Sequence, residues 1–257
     1  MLPDNFHLHL FVWFWVVLSF ILLAFLLIVE ASGYIINPKA KILQPTGIII
    51  VSSQPKGASL YLDDQLYDQT PAQIKDLHPG IYHLRIQLDQ YQDWEKTIQL
   101  KAGQLIKEQA VLFLKEPKIE IVASPERDKV IPLFAREETS VEESIKANLP
   151  KGATDFAWNE RGDTLLYRCG SEIRLYSQKA SQTDDRVIAR FVHEVQKVMW
   201  YPDFRHILFV VNHELRVIEI EGTNNTKLLP LPSANFVVLE NTIYFQEGQE
   251  MKKVKVQ

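Results

Sequence analysis

The longest apolar run in the chain covers residues 10–29, in which Ser19 is the only polar side chain. A helix that rises about 1.5 Å per residue makes this run roughly 30 Å long, which matches the hydrocarbon core of a bilayer. We therefore predict a transmembrane helix over residues 10–31, after an N-terminal tail at 1–9 and before a juxtamembrane linker at 32–46. The expected partner of residues 10–29 is the lipid bilayer.

A cleaved secretory signal is the alternative for this run. The residues before it, 1–9, contain no Lys or Arg, and the run is longer than the apolar core of most signals, so retention as an anchor is favoured. Ala31-Ser32-Gly33 nevertheless supplies the small residues of a cleavage site. Trp13, Trp15 and Tyr34 stand where aromatic rings favour the membrane interface.

Alternating apolar and polar residues dominate the next part of the chain. The clearest case is Tyr82 to Leu88, where every second residue is apolar. A period of two places one face of a strand on a core and the other in water. Comparable runs, separated by turn residues, are 48–51, 58–62, 94–100 and 109–114. The pattern predicts a small antiparallel β-sandwich over residues 47–115.

The turn motifs within that stretch resemble the PEGA domain family. They are Pro55-Lys56-Gly57-Ala58 before a strand that ends at Asp63, then Thr70-Pro71, then Leu77-His78-Pro79-Gly80, then Tyr91-Gln92-Asp93-Trp94. The family's glycines are missing around Asp64 and Gln69, and Gln90 replaces the glycine before Tyr91. The resemblance implies a binding or spacer module of the cell surface without catalytic residues to transfer.

The order of the elements also bears on membrane orientation. An anchor followed by Gly33-Tyr34 resembles single-pass bacterial envelope proteins that carry this domain directly outside the membrane. Lys39 and Lys41 favour the opposite orientation, because positive charge collects on the cytoplasmic side. We predict a single-pass protein of the cell membrane with an extracytoplasmic C-terminal region, and a cytoplasm-facing sensor or scaffold is the alternative.

Residues 116–152 have a weaker pattern and are predicted to be a linker with one short helix. Thr139-x-x-Glu142 and Ser140-x-x-Glu143 are two possible capping boxes for that helix. The acidic run around them is expected to be a solvated helix face, and an acidic docking patch is the alternative interpretation.

An internal repeat fills residues 153–257. The segments that end at Trp158, Tyr167 and Leu175 recur, at one constant offset and without a gap, as the segments that end at Trp200, Phe209 and Val217. A third copy follows at a slightly shorter offset. Periods near 40 built of short strands are typical of propellers, so we predict three propeller-blade-like antiparallel repeats similar to WD40-like or TolB-like blades.

Inner strands of these repeats are expected to end at Trp158, Trp200 and Phe236. Closed propellers have more than three blades. Three arrangements remain open at this point. Residues 116–152 contribute strands in the first, the array is an open fragment in the second, and the protein completes its ring by assembly in the third.

Composition excludes several classes of function. The formal net charge is −4 with both signs interspersed, so nucleic acid is not an expected partner. Cys169 is the sole cysteine, which excludes an intramolecular disulfide and a Cys-rich zinc site.

Motifs for chemistry are missing from the sequence. His193-Glu194 and His213-Glu214 have no second histidine at zinc-protease spacing, and no phosphate-binding or nucleophile-elbow glycine motif occurs. Weaker candidates are interpreted as structural: His7 and His9 as interfacial residues, Cys169 as a core residue, Asn224-Asn225-Thr226 as an exposed turn, and Asp63-Asp64, Glu137-Glu138 and Asp184-Asp185 as solvated carboxylates. We expect no catalytic, cofactor or metal residues, and the binding residues are unknown.

The sequence as a whole predicts a mainly β, non-catalytic single-pass envelope protein. Its β ectodomain is expected to bind or scaffold an envelope protein or a cell-wall polysaccharide. The alternative from another class is an accessory or truncated part of a peptidase-like enzyme.

Overall fold

The computed structural model describes residues 6–31, 34–37, 42–134, 140–179 and 182–257. The described part is mainly β and divides into two compact units, Met1–Ile86 with Thr97–Ala110 and Gln87–Lys96 with Val111–Gln257. Several residues considered above lie outside the described ranges. They are Ser32 and Gly33, Lys39 and Lys41, and Glu137, Glu138 and Thr139.

The first element is one long apolar helix, α1 (Phe6–Ala31), which begins before the predicted start at residue 10. Within it, Phe11–Ile28 has a mean hydropathy of 2.8 and is not buried by other parts of the chain. These properties fit a membrane anchor or a signal sequence. Strands β1 (Tyr34–Asn37) and β2 (Ile42–Pro45) pair antiparallel where only a linker is expected from the sequence. The residues Tyr34 to Ile36 favour extended backbone, but the run is too short to signal a pair of strands.

Seven strands follow in the region predicted to be a sandwich. They are β3 (Gly47–Gln54), β4 (Ser59–Leu62), β5 (Gln65–Gln69), β6 (Ala72–Leu77), β7 (Gly80–Gln87), β8 (Trp94–Leu100) and β9 (Leu105–Val111). They form a three-stranded sheet in the order β6-β3-β9 and a four-stranded sheet in the order β5-β4-β7-β8. Ile49, Val51, Leu60, Leu84 and Ile86 are buried, as the alternating pattern predicts.

Hydrogen bonds explain why the Gly-Ala and Thr-Pro motifs of this region occur together. Thr70 O accepts from the amide of Gly57 at 2.8 Å, and Thr70 Oγ1 accepts from the amide of Ala58 at 3.1 Å. The Thr70 amide in turn donates to Ala58 O at 2.8 Å. Gly57 has φ +82°, a conformation that costs glycine little. These bonds therefore hold the start of β4 next to the end of β5.

Non-glycine residues hold the turns where the family has glycine. Asp63 and Asp64, between β4 and β5, have φ 48° and 65°, the two positive angles of a type I′ hairpin turn. Gln90, between β7 and β8, has φ 66°. The left-handed conformation is thus kept at these turns without the residue that favours it.

Twelve further strands belong wholly to the second unit. They are β10 (Ile119–Ile121), β11 (Ala153–Trp158), β12 (Thr164–Cys169), β13 (Glu172–Lys179), β14 (Gln182–Arg190), β15 (Val195–Trp200), β16 (His206–Val211), β17 (Glu214–Glu219), β18 (Thr226–Pro230), β19 (Phe236–Leu239), β20 (Thr242–Glu247) and β21 (Glu250–Lys255). They form three four-stranded antiparallel sheets. We name these sheet 1 (β11-β12-β13-β14), sheet 2 (β15-β16-β17-β18) and sheet 3 (β10-β21-β20-β19).

The sequence repeat coincides with these sheets. Strands β11, β12 and β13 of sheet 1 correspond in order to β15, β16 and β17 of sheet 2, and β20 and β21 of sheet 3 follow as the third copy. One expectation is wrong, because Phe236 begins β19 instead of ending an inner strand. It pairs with Phe245, as Val198 pairs with Phe209, since the turn between β19 and β20 is shorter than the one between β15 and β16.

Apolar side chains fill the spaces between successive sheets. Leu166, Ile173 and Leu175 of sheet 1 belong to one buried cluster with Val198, Ile207 and Phe209 of sheet 2. The opposite face of sheet 2 contributes Leu208, Val210 and Leu215 to a second cluster with Phe236, Ile243 and Phe245 of sheet 3.

The segments between residues 116 and 152 cover the two outermost faces of these sheets. Helix α2 (Ser124–Phe134) places Val130 in a cluster with Val237, Tyr244 and Met251 of sheet 3. The segment 141–149, which contains α3 (Glu143–Lys146), places Val141 and Leu149 in a cluster with Leu165, Tyr167 and Tyr176 of sheet 1. These segments therefore cover the apolar faces of sheets 3 and 1 that are turned away from sheet 2.

The prediction of a linker with one short helix is therefore wrong in its content. The structure contains β10, α2 and α3 there. Pro132 lies inside α2, and because proline is unfavourable in a helix interior, the sequence does not predict this helix. Helix α3 has Glu142 at its N-cap with no side-chain capping bond, so neither capping box marks its start.

Candidate functional site

The most deeply buried polar side chains of the second unit lie around Glu219. This residue is only 5% exposed, and its carboxylate accepts from Trp94 Nε1 and from Thr223 Oγ1, both at 2.5 Å. His206, also buried, lies beside it and contacts Asp203 Oδ2 through Nδ1 at 2.6 Å. Every carboxylate in this group has a donor. These hydrogen bonds hold the buried side chains in fixed positions.

The electrostatics around His206 reflect these hydrogen bonds. Burial alone would raise the pKa of Asp203, but the hydrogen bond with His206 and the amides of Arg205 and His206 together lower it. An Asp–His contact can support nucleophilic catalysis when a nucleophile lies beside the imidazole. Here the ring of His206 packs edge-on against Phe113 at 5.5 Å between centroids, and its two nitrogens face the carboxylates of Asp203 and Glu219.

A second charged cluster joins sheets 1 and 2. Arg168 Nε donates to Asp155 at 2.6 Å, and its Nη1 donates to Glu194 at 3.2 Å and to Val195 O at 2.9 Å. Lys197 Nζ, in the adjoining part of sheet 2, donates to Phe236 O of sheet 3 at 2.8 Å. Burial lowers the pKa of Lys197, and Asp155 partly opposes that shift. These bonds link β12 of sheet 1 to the start of β15, and β15 of sheet 2 to the start of β19 in sheet 3.

A third set of ion pairs follows the repeat. In sheet 1, Arg174 donates to Glu172 at 2.7 Å and to Asp185 at 2.8 Å. In sheet 2, Arg216 stands at the equivalent position of the next copy and donates to Glu214 at 2.9 Å. Burial and the Asp185 hydrogen bond raise the pKa of Tyr167 above its usual range. The Glu-x-Arg ion pair therefore recurs at equivalent positions in the first two copies of the repeat.

Two hollows flank strand β10 of sheet 3. The first, of about 500 Å³, is lined by charged and hydroxyl-bearing residues, among them Lys118, Glu120, Glu126, Thr242, Tyr244 and Lys253. Glu126 there accepts from Tyr244 at 2.8 Å and from Lys253 at 2.7 Å, and burial together with Glu126 raises the pKa of Tyr244 to about 12. The second, of about 360 Å³, is mainly apolar and is lined by Pro117, Ile119, Leu228, Leu229 and Pro230, among others.

The candidate side chains from the sequence have varied surroundings. Cys169 ends β12 and is partly buried, with its Sγ 3.5 Å from Lys151 O. Glu194 and Glu214 are ion-paired with arginines, as described above. Within the described ranges no group of three His, Cys, Asp or Glu side chains is arranged to hold a metal ion. The side chains of His7 and His9 lie outside the described residues.

Two of the sequence interpretations need correction. Asp185 is not a solvated carboxylate, because it accepts from Tyr167 at 2.7 Å and from Arg174. Asn224 is not simply an exposed turn residue, because its Oδ1 accepts from the Glu95 amide at 3.0 Å. Asp185 bonds to residues on other strands of sheet 1, and Asn224 bonds to a residue that is 129 positions away in the sequence. No local sequence pattern predicts either contact.

With the geometry described, the chain can be set against known proteins. Residues 46–115 match the PEGA domain family. The matched PEGA domain covers the region predicted from the turn motifs, so that prediction is confirmed. A search of curated proteins found no match to the chain. The PEGA domain and the apolar helix before it fit a membrane-anchored or secreted β-domain protein.

The sequence names no binding residues, and its local pattern does not reveal the two hollows beside β10. Lys118, Glu120 and Lys253 share a face only because β10 pairs with β21, the last strand of the chain. The only sequence feature that indicates strand β10 is the alternation of Ile119 and Ile121 with a polar residue between them. It lies inside a region that otherwise has the pattern of a linker.

Proposed function

We propose that this chain is a non-catalytic, single-pass protein of the bacterial cell envelope whose β region binds or scaffolds a protein or a wall polymer outside the membrane. The observation that carries the proposal is a PEGA match that begins at residue 46, soon after an apolar helix that ends at Ala31. A short connection of this kind keeps a binding module close to the membrane surface. The ion-paired, enclosed state of the carboxylates and of His206 supports a role without catalysis.

We further propose that sheets 1, 2 and 3 are blades of a propeller-like array. Three features support this proposal: the repeat of four-stranded antiparallel sheets, the apolar cores between successive sheets, and the contribution of β10 to a sheet whose other strands come from the C-terminal end. In this arrangement the segments α2 and 141–149 stand where further blades would pack.

Topology is the first test. Cys169→Ser combined with Glu160→Cys leaves one thiol in the exposed turn between β11 and β12. Intact cells are treated with a membrane-impermeant maleimide before and after lysis, and the Cys169→Ser variant without the new cysteine is the control. We expect labelling without lysis. Labelling only after lysis would overturn the extracytoplasmic proposal in favour of a cytoplasm-facing scaffold.

Binding is tested with the full chain in lipid nanodiscs. Purified peptidoglycan sacculi are sedimented with it, and empty nanodiscs control for trapping. Envelope proteins are tested separately by site-specific cross-linking in cells. We expect saturable binding to one of the two and no release of soluble wall fragments. Fragment release by the purified chain would instead favour an enzyme.

A further inference from the structure

Strand β10 lies at the edge of sheet 3, and its residues are exposed to solvent. One side of it pairs with β21, and no strand that the structure describes pairs with the other side. All three residues of β10 are exposed, with Ile119 at 45% and Ile121 at 67%. Exposed edge strands present unpaired backbone groups that other chains can join, and proteins commonly protect them.

The hydrogen-bond pattern shows which backbone groups face outward. The Val122 amide donates to Met251 O of β21 at 2.9 Å, and the register pairs Glu120 with Lys253. In an antiparallel ladder the backbone groups of successive residues point to opposite sides. The N–H and C=O of Glu120 therefore point to β21, and those of Ile119 and Ile121 point to the free edge.

The side chains of β10 alternate between the two hollows. Ile119 lines the apolar hollow with Leu228 and Pro230, and Ile121 lies on the same face. Lys118 and Glu120 line the charged hollow on the opposite face, where Nζ of the lysine is 3.9 Å from Oε1 of the glutamate. An added strand would thus meet apolar surface on one face and one charge of each sign on the other.

We propose that β10 binds an extended peptide segment of a partner protein as an additional antiparallel strand of sheet 3. Two apolar side chains of the peptide lie opposite Ile119 and Ile121, a Lys or Arg between them lies opposite Glu120, and an Asp or Glu lies opposite Lys118. In strand addition, backbone bonds supply affinity and alternate side chains supply specificity. The proposal rests on the proposed function, in that the chain binds protein.

Charge favours a partner peptide over a second copy of this chain. In the antiparallel register that uses the outward groups of both isoleucines, Ile119 of one copy stands opposite Ile121 of the other. Glu120 then faces Glu120 of the second copy, and like charges directly opposite each other destabilise a strand pair. A peptide with a cation at that position removes this repulsion.

The test uses the full chain in nanodiscs and a fluorescent peptide, Thr-Thr-Ile-Lys-Ile-Glu-Thr-Thr. Its control peptide has Glu in place of the Lys. We expect saturable binding of the first peptide, measured by anisotropy, and binding of the control weaker by about tenfold because of the like charges. Amide exchange of Ile119 and Ile121 should slow when the first peptide is bound.

Two variants of the chain make the test specific. The double variant Ile119→Lys/Ile121→Lys places charges on the free edge and should abolish binding, while Ile131→Lys changes an isoleucine of α2 with a similar exposure, 46%, and should not alter it. Ile121→Pro removes an outward N–H without touching the bonds to β21 and should weaken binding. Unchanged thermal unfolding of each variant shows that the fold persists.

The outcomes separate this site from the wider function. If the first peptide fails to bind, or binds the double lysine variant equally well, the β10 site is overturned, while binding of sacculi or envelope proteins would still support the proposed function. If the wild-type chain forms a dimer that the double variant loses, a second copy occupies the edge and the peptide assignment is overturned.

Discussion

The indole nitrogen of Trp94 donates a hydrogen bond to Oε1 of Glu219 across 125 residues of sequence. Trp94 is 3% exposed and Glu219 is 5% exposed, so the bond lies away from water. A buried carboxylate is tolerated only where donors surround it, and Trp94 and Thr223 are the donors here. The bond therefore ties residues 87–96 to the end of β17 within the second unit.

Replacing this donor should destabilise the second unit. Trp94→Phe keeps most of the apolar bulk but leaves Glu219 one donor short, and we expect a loss of about 2 kcal/mol in the free energy of unfolding. Urea denaturation measures it. Trp158→Phe is the matched control, because no acceptor among the described residues bonds to that indole. The double variant Trp94→Phe/Glu219→Leu should recover much of the loss, and no recovery would contradict the role of the bond.

Acid should weaken the fold through Asp203. Its pKa in the folded chain lies below the usual 3.8, so its ionised form stabilises the fold above that pH, and this contribution disappears as the pH falls through the lowered pKa. We expect Asp203→Asn to lower the melting temperature at pH 7 more than at pH 3. Thermal unfolding at both pH values tests this. Asp128→Asn, at an exposed residue of α2, controls for the loss of one negative charge.

Local sequence patterns predict the elements whose side chains alternate strongly or repeat. The strand through Leu84 and Ile86 and the repeats that contain Trp158 and Trp200 are predictable because burial on one face leaves a periodic signal. Strand β10 and helix α2 were missed. Each is stabilised by contacts with sheet 3, and tertiary contacts of this kind leave little trace in the local sequence.

Gln90 offers a stabilising substitution. Its φ of 66° is a left-handed conformation that costs a residue with a side chain about 1 kcal/mol or more relative to glycine. Gln90→Gly should therefore stabilise the fold by up to about 1 kcal/mol, because relief of strain outweighs the added freedom of the unfolded chain. Gln92→Gly, at a nearby position without positive φ, should destabilise it, and chemical denaturation distinguishes the two. Destabilisation by both would show that Gln90 is not strained.

The repeated arginines should differ in importance. Arg174→Met leaves Glu172 with Arg190 but leaves Asp185 with only the neutral hydroxyl of Tyr167 as a donor. Arg216→Met, in contrast, leaves Glu214 with the cation Lys227 at 2.6 Å. We expect a loss of about 2 kcal/mol for the first and about 1 kcal/mol or less for the second, since a half-buried carboxylate without a cation, here Asp185, carries the larger penalty. Urea denaturation compares the two directly. Equal losses would mean that the Tyr167 hydroxyl alone satisfies Asp185.

The sequence names no binding residues, and the charged hollow beside β10 shows why its lining could not be read from the sequence. Lys118 and Glu120 look like part of a charged linker, and only the pairing with β21 turns them into one wall of a hollow. Trp94 is 3% exposed, as is common for a large aromatic residue in a strand. Its hydrogen-bond partner could not be read from the sequence.

The pairing of β10 with β21 fixes when sheet 3 can form during synthesis. Glu126 and its partner Lys253 are separated by 127 residues. At roughly 5–20 residues per second, a ribosome needs about 6 to 25 s to add that stretch. Throughout that time β10 and the apolar side of α2 have no sheet to pack on, whereas sheets 1 and 2 can already fold from contiguous sequence. Newly made chains are therefore most exposed to proteases and chaperones at residues 119–134, far from the end that is still being made.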